Sequence, residues 1–278
     1  MSGLTRRDAL IAAAGMLVFP RVAAGQAGLQ IAGSAAQGGL VIGRAGAASE
    51  VWVDGQPVRA KDGLFCFGFG RDAVNPAIVR VRYDGAREET REIAPQKRDF
   101  SIQRIDGLPE KFVTPPQAEL LRIARDAKAV AEARLQDSQE TWFSENFAWP
   151  ARGPITGVYG SQRILNGEPR APHYGLDIAA PAGTPIRAPL PGTVTLAEDL
   201  FLSGNTMILD HGHGVSTSYL HMSRMDAKPG DSLARGQQIG LVGQTGRATG
   251  PHLCWRLNWF QTRLDVALVA PPRAGDKA

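Results

Sequence analysis

Short runs of alternating apolar and polar residues fill the chain from about Leu29 to Ile93, the period of strands whose side chains point to opposite faces in turn. Val51-Trp52-Val53 leads into Asp54-Gly55 and then Val58, a hairpin with its turn dipeptide. Phe65, Phe67 and Phe69 alternate with Leu64, Cys66 and Gly68, which predicts a strand with one aromatic face. Val79, Val81 and Tyr83 alternate ahead of a second turn at Asp84-Gly85. Strands separated by turn signals predict a small β-sandwich over residues 28–100.

The period then changes. Thr114 before Pro115 is a helix-start signal, a capping hydroxyl ahead of proline at the first helical position. Leu120, Leu121, Ala124, Ala127, Ala131 and Leu135 recur at helical spacing, with Arg122, Arg125 and Asp126 elsewhere on the cylinder. Arg134 falls at the edge of the stripe, from where a long side chain reaches water. One amphipathic helix is predicted over about 115–136, within a connecting segment 101–149. Such a stripe suits packing on a domain better than lying on a membrane. Residues 150–270 are rich in Gly, Pro and β-branched residues with no helical period, and predict a compact β-domain, followed by a tail at 271–278. The expected fold is therefore mainly β, with an N-terminal sandwich, a linking helix and a C-terminal β-domain.

A chain of 278 residues has room for two modest domains. Its 43% hydrophobic and 21% charged residues exclude wholesale disorder. The net charge of +4 comes from scattered arginines without a run of like charge, so no nucleic-acid partner is expected. At the N-terminus, Thr5-Arg6-Arg7-Asp8, the apolar stretch Ala9–Phe19 and the small residues Val22-Ala23-Ala24 follow the order of a secretory signal, assigned to residues 1–27. The apolar run is too short to remain as a membrane span. Arg6-Arg7 with Leu10 resembles a twin-arginine signal, although Ala9 stands where that signal has Phe; an ordinary secretion signal fits equally. Either route predicts an exported, periplasmic protein. An oxidising compartment would permit a disulfide between Cys66 and Cys254, but nothing else in the sequence brings them together.

All five histidines lie between positions 173 and 252. His173 and Asp177 form an H-x-x-x-D arrangement, and on an unbroken strand their Cα atoms would stand ~13 Å apart. Two zinc ligands must each reach the metal at ~2.0–2.2 Å, so the chain has to bend between them. Pro172 and Gly175 supply the means. Gly250-Pro251 leads into a strand on which His252 and Cys254 share one face while Leu253 and Trp255 enter the core. Ser218-Tyr219-Leu220-His221 is a further strand end with a polar His. His211 and His213 form an H-x-H pair, yet Gly212 and Gly214 beside Met207-Ile208-Leu209 mark a hairpin turn rather than a metal site. Asp231 and Asp265 are expected at the surface or in turns.

His173-x-x-x-Asp177, Tyr219-Leu220-His221 and Gly250-Pro251-His252-Leu253 resemble the signature of the lysostaphin/LytM-type zinc metallopeptidases. The phrases Arg163-Ile164-Leu165-Asn166-Gly167, Asp177 to Pro185, and Gly236 to Gly246 extend the resemblance over roughly 150–270 in consistent order. The resemblance implies a LytM-like barrel-sandwich (duplicated hybrid motif) domain, zinc as cofactor and the peptides of cell-wall peptidoglycan as substrate. His173 and Asp177 would be metal ligands, and His221 and His252 the non-ligand histidines that handle protons. The family's third ligand is the second His of an H-x-H pair, a place that Cys254 takes here. Thiolate is a sound zinc ligand but donates more charge than imidazole, which implies a slower enzyme or one working at higher pH. The alternative is a LytM-type domain without catalysis that binds the wall or activates a partner cell-wall hydrolase.

Overall fold

The computed structural model describes residues 28–46, 48–83 and 87–273. The assigned signal segment and the Asp84-Gly85 turn lie outside them. The chain is mainly β, and among the described residues no helix is long and apolar enough to cross a membrane.

Among the described residues seven strands come first: β1 (Gln30–Gly33), β2 (Leu40–Arg44), β3 (Ala48–Val53), β4 (Gln56–Val58), β5 (Leu64–Gly68), β6 (Ala77–Tyr83) and β7 (Glu88–Ile93). They form two antiparallel sheets, ordered β1-β2-β5 and β4-β3-β6-β7. Asp54 (φ 51°) and Gly55 (φ 75°) are both left-handed, as the two-residue turn of the β3–β4 hairpin requires. Val41, Phe65 and Phe67 of one sheet meet Val51, Val79 and Val81 of the other in a common core. The aromatic face predicted for β5 is therefore internal.

The other face of that strand is internal too. Leu64 and Cys66, with Leu40 and Ile42 of β2, join the core of the C-terminal half alongside Trp255, Leu257 and Leu264. Each such side chain contributes roughly 1.5–3 kcal/mol of burial. The β1-β2-β5 sheet is thus a middle layer serving two cores.

The connecting segment holds a strand that the sequence pattern does not show, β8 (Ile102–Ile105), then α1 (Glu110–Val113) and α2 (Gln117–Ala133). Thr114 closes α1, its N–H bonding to Glu110 O, and does not cap the long helix, which starts after Pro115-Pro116 with Pro116 at its N-cap. The buried face also differs from the expected stripe. Leu121 is 83% exposed, and Leu120 and Leu135 are exposed as well. The face that packs is Asp126, Ala129, Val130 and Ala133, the last three against Leu196, Leu200 and Ile208. Asp126 is tolerated there because it accepts from the Phe201 N–H at 2.7 Å and pairs with Arg125 at 2.8 Å. Arg134 does not reach water: it is 3% exposed.

The C-terminal half contributes β9 (Ile155–Gly157), β10 (Gln162–Leu165), β11 (Glu168–Arg170), β12 (Leu176–Ala179), β13 (Pro185–Arg187), β14 (Gly192–Leu200), β15 (Gly204–Asp210), β16 (Val215–Met222), β17 (Arg224–Met225), β18 (Ser232–Leu233), β19 (Gln238–Leu241), β20 (His252–Trp259) and β21 (Thr262–Leu264). Its main sheet runs β18-β14-β15-β16-β20-β12-β9, with β21 beside β20. A small sheet orders β13-β19-β17, and β8 adds in parallel to β10 of a third.

His211 and His213 sit in the tight turn between β15 and β16, where Gly212, His213 and Gly214 all have positive φ. His211 is fully buried; its Nδ1–H donates to Pro191 O and its Nε2 accepts from the Thr217 hydroxyl, each at 2.7 Å. Asp265, expected at the surface or in a turn, caps the turn Val266–Leu268 but is buried: it pairs with Arg98 at 2.8 Å and accepts from the Ala267 N–H. Burial holds the His211 pKa down at about 4 from an ordinary 6.5. The stability this represents is present above pH 6.5 and is lost as pH falls through about 4, roughly 3 kcal/mol in all. His211→Gln, which keeps an amide in place of the ring but cannot titrate, is expected to lose less melting temperature than the parent between pH 7 and pH 4.5. Equal losses in thermal scans would show that His211 does not drive the acid limb.

Candidate metal centre

The strand pairing of β12 with β20 places Asp177 directly opposite Cys254. His252 lies two residues earlier on β20, so its side chain shares the Cys254 face. Leu253 and Trp255 point the other way, into the core. His173 approaches from the loop before β12, held by its N–H to Ser161 O at 2.8 Å and by its own carbonyl, which accepts from Gly160 N–H. The bend anticipated between His173 and Asp177 is this loop, and it ends at Gly175. A Cβ on Gly175 would stand 2.8 Å from Cys254 Sγ and 2.9 Å from Arg256 Cγ, so only glycine lets the loop close over β20. Gly157 of β9 plays the same part for Asp177, since a Cβ there would run into its carboxylate.

The result is a buried group in which one ligand atom each of His173, Asp177 and Cys254 lie within 4.8 Å of one another. His173 Nε2 is 3.1 Å from Asp177 Oδ1 and 3.4 Å from Cys254 Sγ. Asp177 Oδ1 is buried without a hydrogen-bond partner, whereas Oδ2 accepts from Arg163 at 3.2 Å. An oriented carboxylate oxygen beside an imidazole nitrogen and a sulfur is a donor set that a metal ion such as zinc accepts. Both cysteines are free thiols, so Cys254 is not consumed in a disulfide with Cys66.

The electrostatics favour an ionised Asp177 and a neutral His173 but hold Cys254 as a thiol. Burial alone would raise the Asp177 carboxyl, but contact with His173 and the Arg163 guanidinium holds it well below the usual carboxylate range. Burial pushes His173 towards its neutral form, so Arg163 is the standing counter-charge. Burial pushes the Cys254 thiol up to about 11, with Arg256 Nε at 3.4 Å from the sulfur opposing it.

His221 and His252 stack beside this group with ring centroids 4.7 Å apart. His221 has a left-handed backbone, φ 65°, where the β15–β16 register slips. That bulge lets Leu220 and His221 both line a cavity while Tyr219 and Met222 enter the core. Its Nδ1 lies 2.8 Å from Thr245 O, and His252 Nδ1 lies 2.9 Å from Gly250 O. A carbonyl can only accept, so both Nδ1 atoms carry the proton and both Nε2 atoms are free to accept one. Burial, then the neighbouring His252, lowers the His221 pKa to about 3. Arg163 stands in one of the phrases that carry the resemblance, which assigns it no role, and Arg256 gives no periodic or motif signal; in the structure they contact Asp177 and Cys254.

A buried N, O and S donor set with two imidazoles at its rim is a group that can hold a metal ion. Residues 171–266 match the model of Peptidase family M23. The chain is 45% identical over 87 residues to the peptidoglycan DD-endopeptidase ShyA of Vibrio cholerae, covering 31% of this chain and 20% of that protein. It is 31% identical over 161 residues to the cell division protein DipM of Caulobacter vibrioides, 58% of this chain and 25% of that protein. A crystal structure of a peptidase M23 from Pseudomonas aeruginosa superposes with a TM-score of 0.65 at 28% identity, covering 85% of this chain and 95% of that one. The chain thus spans about a fifth to a quarter of the length of these two curated relatives.

Proposed function

We propose that this chain is an exported zinc-dependent endopeptidase that hydrolyses peptide bonds of cell-wall peptidoglycan. The observation that carries the reading is the convergence of His173 Nε2, Asp177 Oδ1 and Cys254 Sγ, with Oδ1 lacking any other partner. These three residues would hold the metal. Bound zinc supplies a Lewis acid for the scissile carbonyl and lowers the pKa of a coordinated water. Relatives named as peptidoglycan DD-endopeptidases support the substrate class.

The chain's own residues handle the protons. His221 stays neutral at physiological pH, its Nδ1–H tied to Thr245, so its Nε2 is available as a general base. His252 is fixed in the same tautomer by Gly250, and its Nε2 lies 3.8 Å from Asp177 Oδ1, beside the ligand group. Together they can take a proton from the attacking water and return one to the leaving amine. Arg163 keeps Asp177 ionised and oriented.

Zinc-loaded mature chain, folded under reducing conditions, is expected to release soluble peptides with new amino termini from purified peptidoglycan. A chelator should abolish the release and added zinc restore it. Stoichiometric zinc without any new termini would overturn the peptidase reading in favour of a wall-binding or hydrolase-activating role.

A further inference from the structure

Between helix α2 and the outer face of the main sheet lies a cavity of about 290 Å³ lined by five arginines: Arg134, Arg163, Arg247, Arg256 and Arg263. His221 lines it as well, so it adjoins the candidate metal centre. Two of the arginines touch the proposed ligands directly, Arg163 at Asp177 and Arg256 at Cys254. The single carboxylate in the lining is Asp126, which is already engaged by Arg125 and the Phe201 N–H. Among the described residues, Arg134, Arg247, Arg256 and Arg263 form no ion pair with any carboxylate.

Arg134 is the telling residue. It is 3% exposed, and its Nε and Nη1 are buried without a hydrogen-bond partner. Burial, with Arg263 and Arg256 nearby, pulls its pKa well below the ordinary arginine value. An unpaired buried guanidinium is destabilising, and four more arginines around the same space add repulsion. A core filler would be apolar. Four guanidinium groups without an ion pair around one small space are instead suited to a carboxylate, which such groups grip in a bidentate manner. Val130 and Leu200 supply apolar wall for a short alkyl side chain next to that charge.

We propose that this cavity is a subsite for a carboxylate of the peptide substrate, with Arg134 delivered from the helix outside the family domain. The proposal rests on the peptidase reading for its placement beside the scissile bond, but binding there does not require metal. It makes α2 part of the substrate site, selecting peptides that carry a free carboxylate close to the bond that is cut.

The test is calorimetric titration of the reduced mature full chain, zinc-free and zinc-loaded, with N-acetyl-alanyl-alanine in its D,D and L,L forms. The C-terminal amides of the same peptides and inorganic phosphate serve as comparators. At least one acid form is expected to bind the zinc-free chain, with its amide tenfold weaker or more. Arg134→Gln should weaken the acid at least tenfold while its melting temperature stays level or rises, because an unpaired charge is removed. Arg263→Gln should weaken the acid in the same direction. Equal binding of acid and amide, no binding of either, or unchanged binding by Arg134→Gln would overturn the subsite. Phosphate binding as tightly as the acid would make this a general anion site and overturn the peptide assignment. Failure of the zinc or cleavage tests would leave these binding results intact, so the two readings fail separately.

Discussion

Cys254→Ala is expected to reduce the zinc retained by the dialysed chain from about one per molecule to near zero. Loss of a supporting residue around a zinc site weakens affinity 10–100-fold, and loss of a direct ligand should cost at least ~100-fold. Only His173 and Asp177 would remain of the three donors that now converge. Asp177 would keep its Arg163 partner, and the Leu253 and Trp255 packing behind β20 would be untouched, so the fold should survive. Elemental mass spectrometry on protein folded under reducing conditions gives the answer. Undiminished zinc would show that Cys254 serves packing alone and would remove the proposed ligand set. The companion variant Cys254→His restores the residue type of the family pattern and is expected to raise the cleavage rate or shift its optimum to lower pH.

Removing His221 should leave zinc in place and stop the chemistry. General-base catalysis contributes about 10²–10⁴-fold, so kcat for a peptidoglycan peptide is expected to fall by that factor. Asparagine is the better replacement than alanine, because His221 occupies a left-handed conformation at φ 65° that Asn tolerates. His221→Asn therefore removes the base without straining the bulge that separates Leu220 from Tyr219. Since the His221 pKa lies near 3, its protonation does not shape the rate profile between pH 5 and 8. A loss of less than about twofold with zinc unchanged would reduce His221 to a structural residue, leaving His252 as the group to test.

The strands of the N-terminal sandwich were legible because alternation and turn chemistry are local: Asp54-Gly55 can hardly be anything but a hairpin turn. The grouping of His173, Asp177, His221, His252 and Cys254 was legible through the resemblance to the LytM-type signature; the spacing of His173 and Asp177 alone shows only that the chain must bend between them. What stayed hidden depends on contacts between distant segments. β8 forms only because β10 offers a parallel edge, and no pattern in Ile102–Ile105 announces that partner. The alanine-rich helix has little contrast between faces, so Leu120 and Leu121 mark the apolar stripe in sequence while the packed side is set by Leu196, Leu200 and Ile208. Asp126 and Arg134 look like surface residues in any window. Their burial follows from the Phe201 N–H in one case and the arginine-lined cavity in the other.

The middle layer formed by β1, β2 and β5 bears on how such a chain can evolve. A module that can be shuffled freely presents a polar exterior at its cut points, and this pair of units does not. Leu40, Ile42, Leu64 and Cys66 finish the hydrophobic interior of the C-terminal half, while Val41, Phe65 and Phe67, on the same two strands, finish that of the sandwich. Severing the halves would bare an apolar face on each, an invitation to aggregate. Inheritance should therefore have kept the two halves together as one recombination block.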